Sequence, residues 1–206
     1  KIIFIIHNMF LYLILGIIII LSIFYAALKV RFPFWIKQPV FHYHNFGYWL
    51  SPPGVINTNI SINKYVNFIN IQVISLETIS RHDLTQFYNF INSYYYNHSN
   101  NTYNPSKKYI IAPLEANDLS SYIIFYKEPN LLFEKNNAIS INRIIGALSI
   151  RSLEIFIDSK KYSIYYVDNL CVRPEKRKQG IAQQLIQSTQ YYIQNLRLKF
   201  FLKLIK

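Results

Sequence analysis

The pattern of apolar and polar positions divides the chain into an apolar start and an alternating remainder. Met9–Leu28 is a run of 20 residues without a charge, rich in Ile and Leu. At the rise of an α-helix such a run spans roughly 30 Å, the thickness of a bilayer core, so it predicts a transmembrane helix. A cleaved signal peptide is the alternative; Ala26-Ala27 offers small residues, but the apolar stretch is too long and lacks a small-x-small site. Lys29, Arg31 and Lys37 follow the run and only Lys1 precedes it, which puts the carboxyl side in the cytoplasm.

Beyond it the pattern predicts alternating strands and helices. Phe68–Leu76 alternates as a strand; Ser80, with Asp83 three residues on, caps a helix over about 81–95 whose face is Leu84, Phe87, Tyr88 and Ile91. Asn92–Lys108 is polar and low in complexity, which predicts a mobile loop, and a second short helix is expected over about 116–126, with Asn117 or Asp118 near its start. Arg143–Arg151 and Leu153–Asp158 read as a strand pair or one bent strand, and Asp158–Lys161 turns the chain back into a strand ending at Val172.

At Gly180 the period changes from two to 3.6: Ile181, Leu185, Ile186, Ile193 and Leu196 share one helical face, and Gln183, Gln184, Gln187, Gln190 and Gln194 the other. Arg173–Gly180, Arg-Pro-Glu-Lys-Arg-Lys-Gln-Gly, is therefore a basic strand-to-helix elbow. Free N–H groups and the helix dipole at such a turn favour a bound anion, and Arg177 and Lys178 add charge.

Composition changes the picture little. The chain of 206 residues allows one domain plus an appendage: 1–30 as the membrane helix, 31–62 as a juxtamembrane segment, 63–206 as the folded domain. Its net charge of +12 is scattered and no nucleic-acid-binding signature accompanies it, so no nucleic-acid partner is expected. A single cysteine, Cys171, excludes an intramolecular disulfide and reads as core, since no His is placed to activate it. His42 and His44 alternate without an acidic or thiol ligand nearby, so no metal is expected. The sequons at Asn59, Asn97 and Asn100 fall in so Asn-rich a chain that they read as chance. Trp49–Gly54 is a rigid turn without evident chemistry. Ile, Asn, Lys and Tyr dominate, as an A/T-rich coding sequence would produce, which lowers the weight of Tyr-rich runs. The first residue is Lys1 and the last residues are an apolar run, Phe200–Ile205, so the natural chain is expected to be longer.

Arg177-x-x-Gly180-x-Ala182, after the strand ending Leu170-Cys171-Val172, resembles the pyrophosphate-binding turn of the GNAT superfamily of acyl-CoA-dependent acyltransferases. Phe34-Trp35-Ile36-Lys37-Gln38-Pro39-Val40 is similar to the Phe-Trp-x-x-Gln-Pro-Val element of N-myristoyltransferases, a GNAT-fold family; read physically it is an extended segment with an aromatic pair outside the membrane. The order Ile-Ile-Gly-Ala-Leu (144–148), Asp-Ser-Lys-Lys (158–161), Leu-Cys-Val (170–172) and Ala-Gln-Gln-Leu-Ile (182–186) resembles the N-terminal half of that family.

The resemblance implies an α/β (α+β) fold, a mixed and mostly antiparallel GNAT-like sheet flanked by helices, preceded by the transmembrane helix. It implies that backbone N–H groups of Asn169 and Leu170 hold a thioester carbonyl. It assigns acyl-CoA, as co-substrate rather than resident cofactor, to Phe34, Trp35, Gln38, Leu170, Cys171, Val172, Arg177, Lys178, Gln179, Gly180, Ile181 and Ala182. The implied reaction moves an acyl group from myristoyl-CoA to a protein N-terminal amine at the cytoplasmic membrane face. An acetyltransferase using acetyl-CoA, and a non-enzymatic membrane protein keeping the fold, are the alternatives. The chain departs from the family at Asp168 (Asn there), Asn169 (Phe) and Gly180 (Arg), and the family's peptide-binding second half and its carboxylate base have no match.

Overall fold

In the computed structural model, residues 2–38, 42–50, 62–98, 101–102, 104–116, 119–134, 137–157 and 159–195 are described. They fall into two compact units, one within 1–57 and the other within 58–201.

The first unit contains α1 (Ile2–Arg31), a short 3-10 turn (Trp35–Lys37) and α2 (Phe46–Leu50). Over His7–Arg31 α1 is long and apolar enough to cross a membrane, and its apolar side chains are exposed. Lys29 and Arg31 occupy its last turn, where cations oppose the helix dipole favourably.

The second unit runs β1 (Ile71–Ser75), α3 (Arg81–Ile91) with a π-helical turn (Asn92–Tyr96), β2 (Asn97–His98), β3 (Asn101–Thr102), α4 (Lys107–Glu115), β4 (Tyr122–Glu134), β5 (Asn137–Ile157), β6 (Lys160–Val172), a 3-10 turn (Pro174–Lys176) and α5 (Ile181–Asn195). The main sheet has the order β1-β4-β5-β6 and every described pairing is antiparallel. One face carries Ile123, Phe125, Ile144, Ala147 and Cys171 against Phe87, Phe90 and Ile91 of α3 and Ile110, Ile111 and Leu114 of α4. The other carries Ile124, Ile145, Leu148, Ile150 and Val172 against Ile181, Leu185 and Ile193 of α5. Alternate residues of each strand thus feed opposite cores, giving helix, sheet and helix layers.

The described residues of 116–126 do not form the helix expected there. Tyr122–Tyr126 is instead the start of β4, buried on both faces; a continuous apolar run has no period with which to tell a doubly covered strand from a buried helix. The helix lies earlier, at Lys107–Glu115, with Pro113 inside it. Nor is 92–108 one loop: its first five residues prolong α3, 97–98 pair with 101–102, and α4 starts at Lys107. Polar composition concealed the π-helical turn and the pairing of 97–98 with 101–102, which backbone bonds define. Ser80 caps α3 as expected, its Oγ accepting from the Asp83 N–H at 3.0 Å while its hydroxyl donates to the Asp83 carboxylate at 2.7 Å. Of the two readings of 143–158, a strand pair or one bent strand, the single strand is found: its described residues belong to the 21-residue β5. Leu196 and the run 200–205 lie outside the described residues.

The polar side of α5 departs from expectation. Gln187, Ser188, Thr189 and Gln190 are buried. The Asn67 N–H donates to Ser188 Oγ at 2.8 Å and the Asn67 amide to Gln184 Oε1 at 2.7 Å, so the segment before β1 crosses this face of the helix.

Candidate functional site

The register of β5 and β6 slips where Ala147 faces Cys171 but Ser149 faces Asp168. Two residues, Asn169 and Leu170, oppose Leu148 alone, which makes a β-bulge. Asn169 has φ 52°, a left-handed conformation that Asn tolerates better than most residues. Its side chain is held below the bulge: Asn169 Nδ2 donates to Ser149 Oγ at 3.0 Å, and the Ser149 hydroxyl donates to the Asp168 carbonyl at 3.3 Å. The Asn169 N–H donates to Asp168 Oδ1 at 2.8 Å, and the other carboxylate oxygen lies 3.9 Å from Arg151 Nε.

The elbow follows directly. The Arg173 N–H prolongs the ladder to the Ile145 carbonyl at 2.9 Å. Its guanidinium donates to the Ile144 carbonyl at 2.6 Å and to the Tyr94 hydroxyl, and lies 4.7 Å from the Tyr94 ring centre and 5.7 Å from that of Phe90. Arg177 turns back, donating from Nε to the Val172 carbonyl at 3.1 Å and from Nη2 to the Tyr94 carbonyl at 3.4 Å. Lys178 (φ 64°) and Gly180 (φ 81°) then bend the backbone through the left-handed region before α5 begins. The first bond of α5 runs from the Gln184 N–H to the Gly180 carbonyl at 3.0 Å, so the N–H groups of Gly180 to Gln183 lack intrahelical acceptors.

These pieces enclose a cavity of about 700 Å³, within the range of small-molecule sites. Of the residues singled out from sequence, Leu170, Cys171, Val172, Arg177, Lys178, Gly180, Ile181 and Ala182 line it. Asn169 lies beneath rather than on its wall, and Gln179 is exposed at the elbow, its amide donating to the Glu175 carbonyl at 3.5 Å. Phe34, Trp35 and Gln38 belong to the first unit, where Phe34 and Trp35 meet edge to face at 5.1 Å and the Gln38 N–H donates to the Trp35 carbonyl at 3.1 Å. Sequence reasoning missed Tyr94 and Tyr95, which close the cavity from the π-helical turn, and Lys176 and Gln183. The tyrosines sit in a Tyr-rich run that compositional bias had discounted.

The electrostatics suit an anion more than an acid or base. Lys176 pairs with Glu128 at 2.9 Å, and Glu175 with Arg143 at 3.2 Å and Arg173 at 3.7 Å. Arg177 and Lys178 have no acidic partner among the described residues. Burial pushes the Cys171 thiol up to about 11, the nearby Arg177 lowering it only in part, so the thiol is protonated and inert at neutral pH. Among the described residues no group of three or more His, Cys, Asp or Glu forms a metal site.

No family model matches the sequence, and neither does any curated protein. Solved structures do. Saccharomyces cerevisiae N-myristoyltransferase with bound myristoyl-CoA matches with a TM-score of 0.55 at 14% identity, over 81% of this chain. A glucosamine N-acetyltransferase region of a fungal β-N-acetylglucosaminidase matches at 0.40, with 14% identity over 63% of this chain and 13% of that one. An aminoglycoside acetyltransferase from an uncultured soil sample matches at 0.38, with 18% identity over 66% of this chain and 79% of that one. The chain spans 38% of the length of the yeast protein. The first likeness shows the fold, which is GNAT-like and of the N-myristoyltransferase kind.

Proposed function

We propose that this chain is the acyl-CoA-binding part of a membrane-anchored N-acyltransferase of N-myristoyltransferase type, which transfers an acyl group, myristoyl in the leading reading, to the N-terminal amine of a protein. The observation that carries this is the cavity at the elbow, where a β-bulge, two cations without an acidic partner among the described residues and the open N-terminus of a helix face one space. The phosphates of the coenzyme lie at the N–H groups of Gly180 to Gln183, with Arg177 and Lys178 supplying positive charge. The bulge at Asn169 and Leu170 receives the thioester carbonyl, where aligned N–H dipoles stabilise the oxygen as it gains charge. For Asn169 to take part, the Asp168 carboxylate that accepts its N–H has to turn away.

The amine attacks the thioester carbon, the new C–N bond forms, and the C–S bond breaks to release the coenzyme thiolate. A base must take the proton from the amine. Asp168, Glu175 and Glu128 are each engaged with a cation, and none is assigned as that base. The likeness of Phe34, Trp35 and Gln38 to the family's Phe-Trp-x-x-Gln-Pro-Val element supports their contact with the coenzyme nucleotide; α1 anchors the protein, and Lys29 and Arg31 in its last turn favour a cytoplasmic carboxyl side. Gly180, the residue usual in GNAT proteins generally, favours the second reading, transfer from acetyl-CoA.

The test is parallel binding of myristoyl-CoA and acetyl-CoA to the full chain in lipid nanodiscs. Strong preference for the long chain supports the leading reading; equal or acetyl-favouring binding moves the assignment to an acetyltransferase. Binding of neither leaves a membrane module that keeps the fold. Gly180→Glu abolishes binding by repelling phosphate, whereas Cys171→Ser retains it; equal loss in both sinks the site.

A further inference from the structure

The first unit carries aromatic groups that the proposed acyl-CoA site does not use. Tyr43, Phe46, Trp49 and Leu50 are exposed, at 78%, 74%, 45% and 88%. The segment bearing them is internally bonded. The Asn45 N–H donates to the His42 carbonyl at 2.9 Å, Asn45 Oδ1 accepts from the Gly47 N–H at 3.1 Å, and Trp49 Nε1 donates to the Tyr43 carbonyl at 3.2 Å. Several backbone groups and the indole N–H are thereby occupied while Tyr43, Phe46, Trp49 and Leu50 remain exposed, a combination suited to lipid and costly in water.

The segment also folds back beside α1. The His44 and Tyr25 rings lie 5.7 Å apart, and an apolar cavity of about 850 Å³ separates Leu21, Phe24 and Leu28 of the helix from His42, Tyr43 and Phe46. Tyr25 precedes Arg31, the last residue of α1, by six positions, roughly 9 Å along the axis. If Lys29 and Arg31 mark the level of the headgroups, the segment lies within about 5–10 Å of them, the depth at which interfacial helices sit. Charge agrees: residues 1–76 contain no Asp or Glu, whereas Lys29, Arg31 and Lys37 precede the segment closely.

We infer that residues 42–50 are a second membrane contact, an aromatic wedge lying in the headgroup–acyl boundary of an anionic bilayer beside the end of α1. The inference rests on the reading of α1 as a membrane helix. The wedge ties the juxtamembrane chain to the surface, and lipid hydrocarbon fills the space against Leu21, Phe24 and Leu28.

The experiment uses the full chain with Trp35→Phe, which leaves Trp49 as the only tryptophan, in phosphatidylcholine–phosphatidylserine vesicles brominated at defined chain depths. Trp49 should lose most of its emission to bromines near the carbonyl end of the chains and little to aqueous acrylamide. Quenching by acrylamide alone, or strongest quenching from bromines at the bilayer centre, overturns the wedge. A second variant, Ile18→Trp with both native tryptophans replaced by Phe, reports on α1 itself. If it is quenched by deep bromines while Trp49 is untouched by any, the wedge fails and the membrane helix stands. If neither is quenched, both readings fall together.

Discussion

Gly146 in β5 is where α5 comes closest to the sheet, and Gly146→Ala tests that contact. A Cβ there would stand 2.9 Å from Leu185 Cδ1, 3.3 Å from Ile181 Cγ2 and 3.3 Å from the Cys171 carbonyl oxygen. Carbon atoms prefer roughly 3.5 Å or more, so the Leu185 tip must retreat by about 0.6 Å. Leu185 is fully buried and the Cys171 carbonyl is backbone, so the Leu185 tip retreats only by displacing packed neighbours. Overpacking of this kind costs about 1–3 kcal/mol, partly offset by the roughly 0.4–1 kcal/mol that Gly→Ala gains by restricting the unfolded chain. The expected net loss is about 1–2 kcal/mol, a fall of roughly 0.5–1 M in the urea midpoint for a slope near 2 kcal/mol/M. Proteolysis of the full chain after equilibration in urea and mild detergent reads that midpoint. Gly16→Ala in α1 is the control: nothing lies within 4 Å of its Cβ, so the midpoint should barely move. A midpoint for Gly146→Ala equal to or above that of the wild type would refute the close seat of α5 on β5.

Arg173→Met removes the bonds to Ile144 and Tyr94 and the ring contacts together; a loss of about 2–3 kcal/mol is expected, with weaker acyl-CoA binding because Tyr94 loses its tether. Arg173→Lys should recover little of it, since an ammonium cannot reproduce the fork. At Asn169, the stability order in urea should be wild type above Gly above Val: Gly keeps the left-handed bulge but loses the Ser149 bond, about 1 kcal/mol, whereas a β-branched residue is also strained there. Alkaline pH should weaken the fold. Burial raises Cys171 from 9.0 to about 11 and Tyr165 from 10.0 to about 12, so the unfolded chain loses these protons first; their contribution is whole below pH 9 and declines from there toward pH 12. A urea midpoint that holds constant or rises over that window would contradict the burial of both groups. At pH 8 the Cys171 thiol should react with a disulfide reagent only as fast as the domain opens.

The elbow was legible because its signal is local. A period of two becomes 3.6 at one glycine, and that glycine has the positive φ the turn requires. The membrane-length helix was legible for the same reason, since composition over 20 residues decides it. What escaped depends on distant chain. Tyr122–Tyr126 reads as apolar without period because helices cover both its faces, and Gln187 and Gln190 read as solvent-facing although both are buried in the folded chain. Tyr94 and Tyr95 reach the cavity only because Arg173 and Arg177 draw the π-helical turn to the elbow. The bulge at Asn169 is a matter of register between two strands, and no property of Asn169 alone announces it.

The hydrogen bonds that assemble the elbow and seat α5 join residues far apart in the chain: Tyr94 to Arg173 over 79 positions and to Arg177 over 83, and Asn67 to Ser188 over 121. The hairpins of β4, β5 and β6 can form from near neighbours, whereas closing these longer loops costs more entropy and slows folding. During synthesis the sheet is therefore complete before the cavity exists. The cavity becomes the last part of this unit to be made, waiting on α5 to emerge and on the segment before β1 to find it.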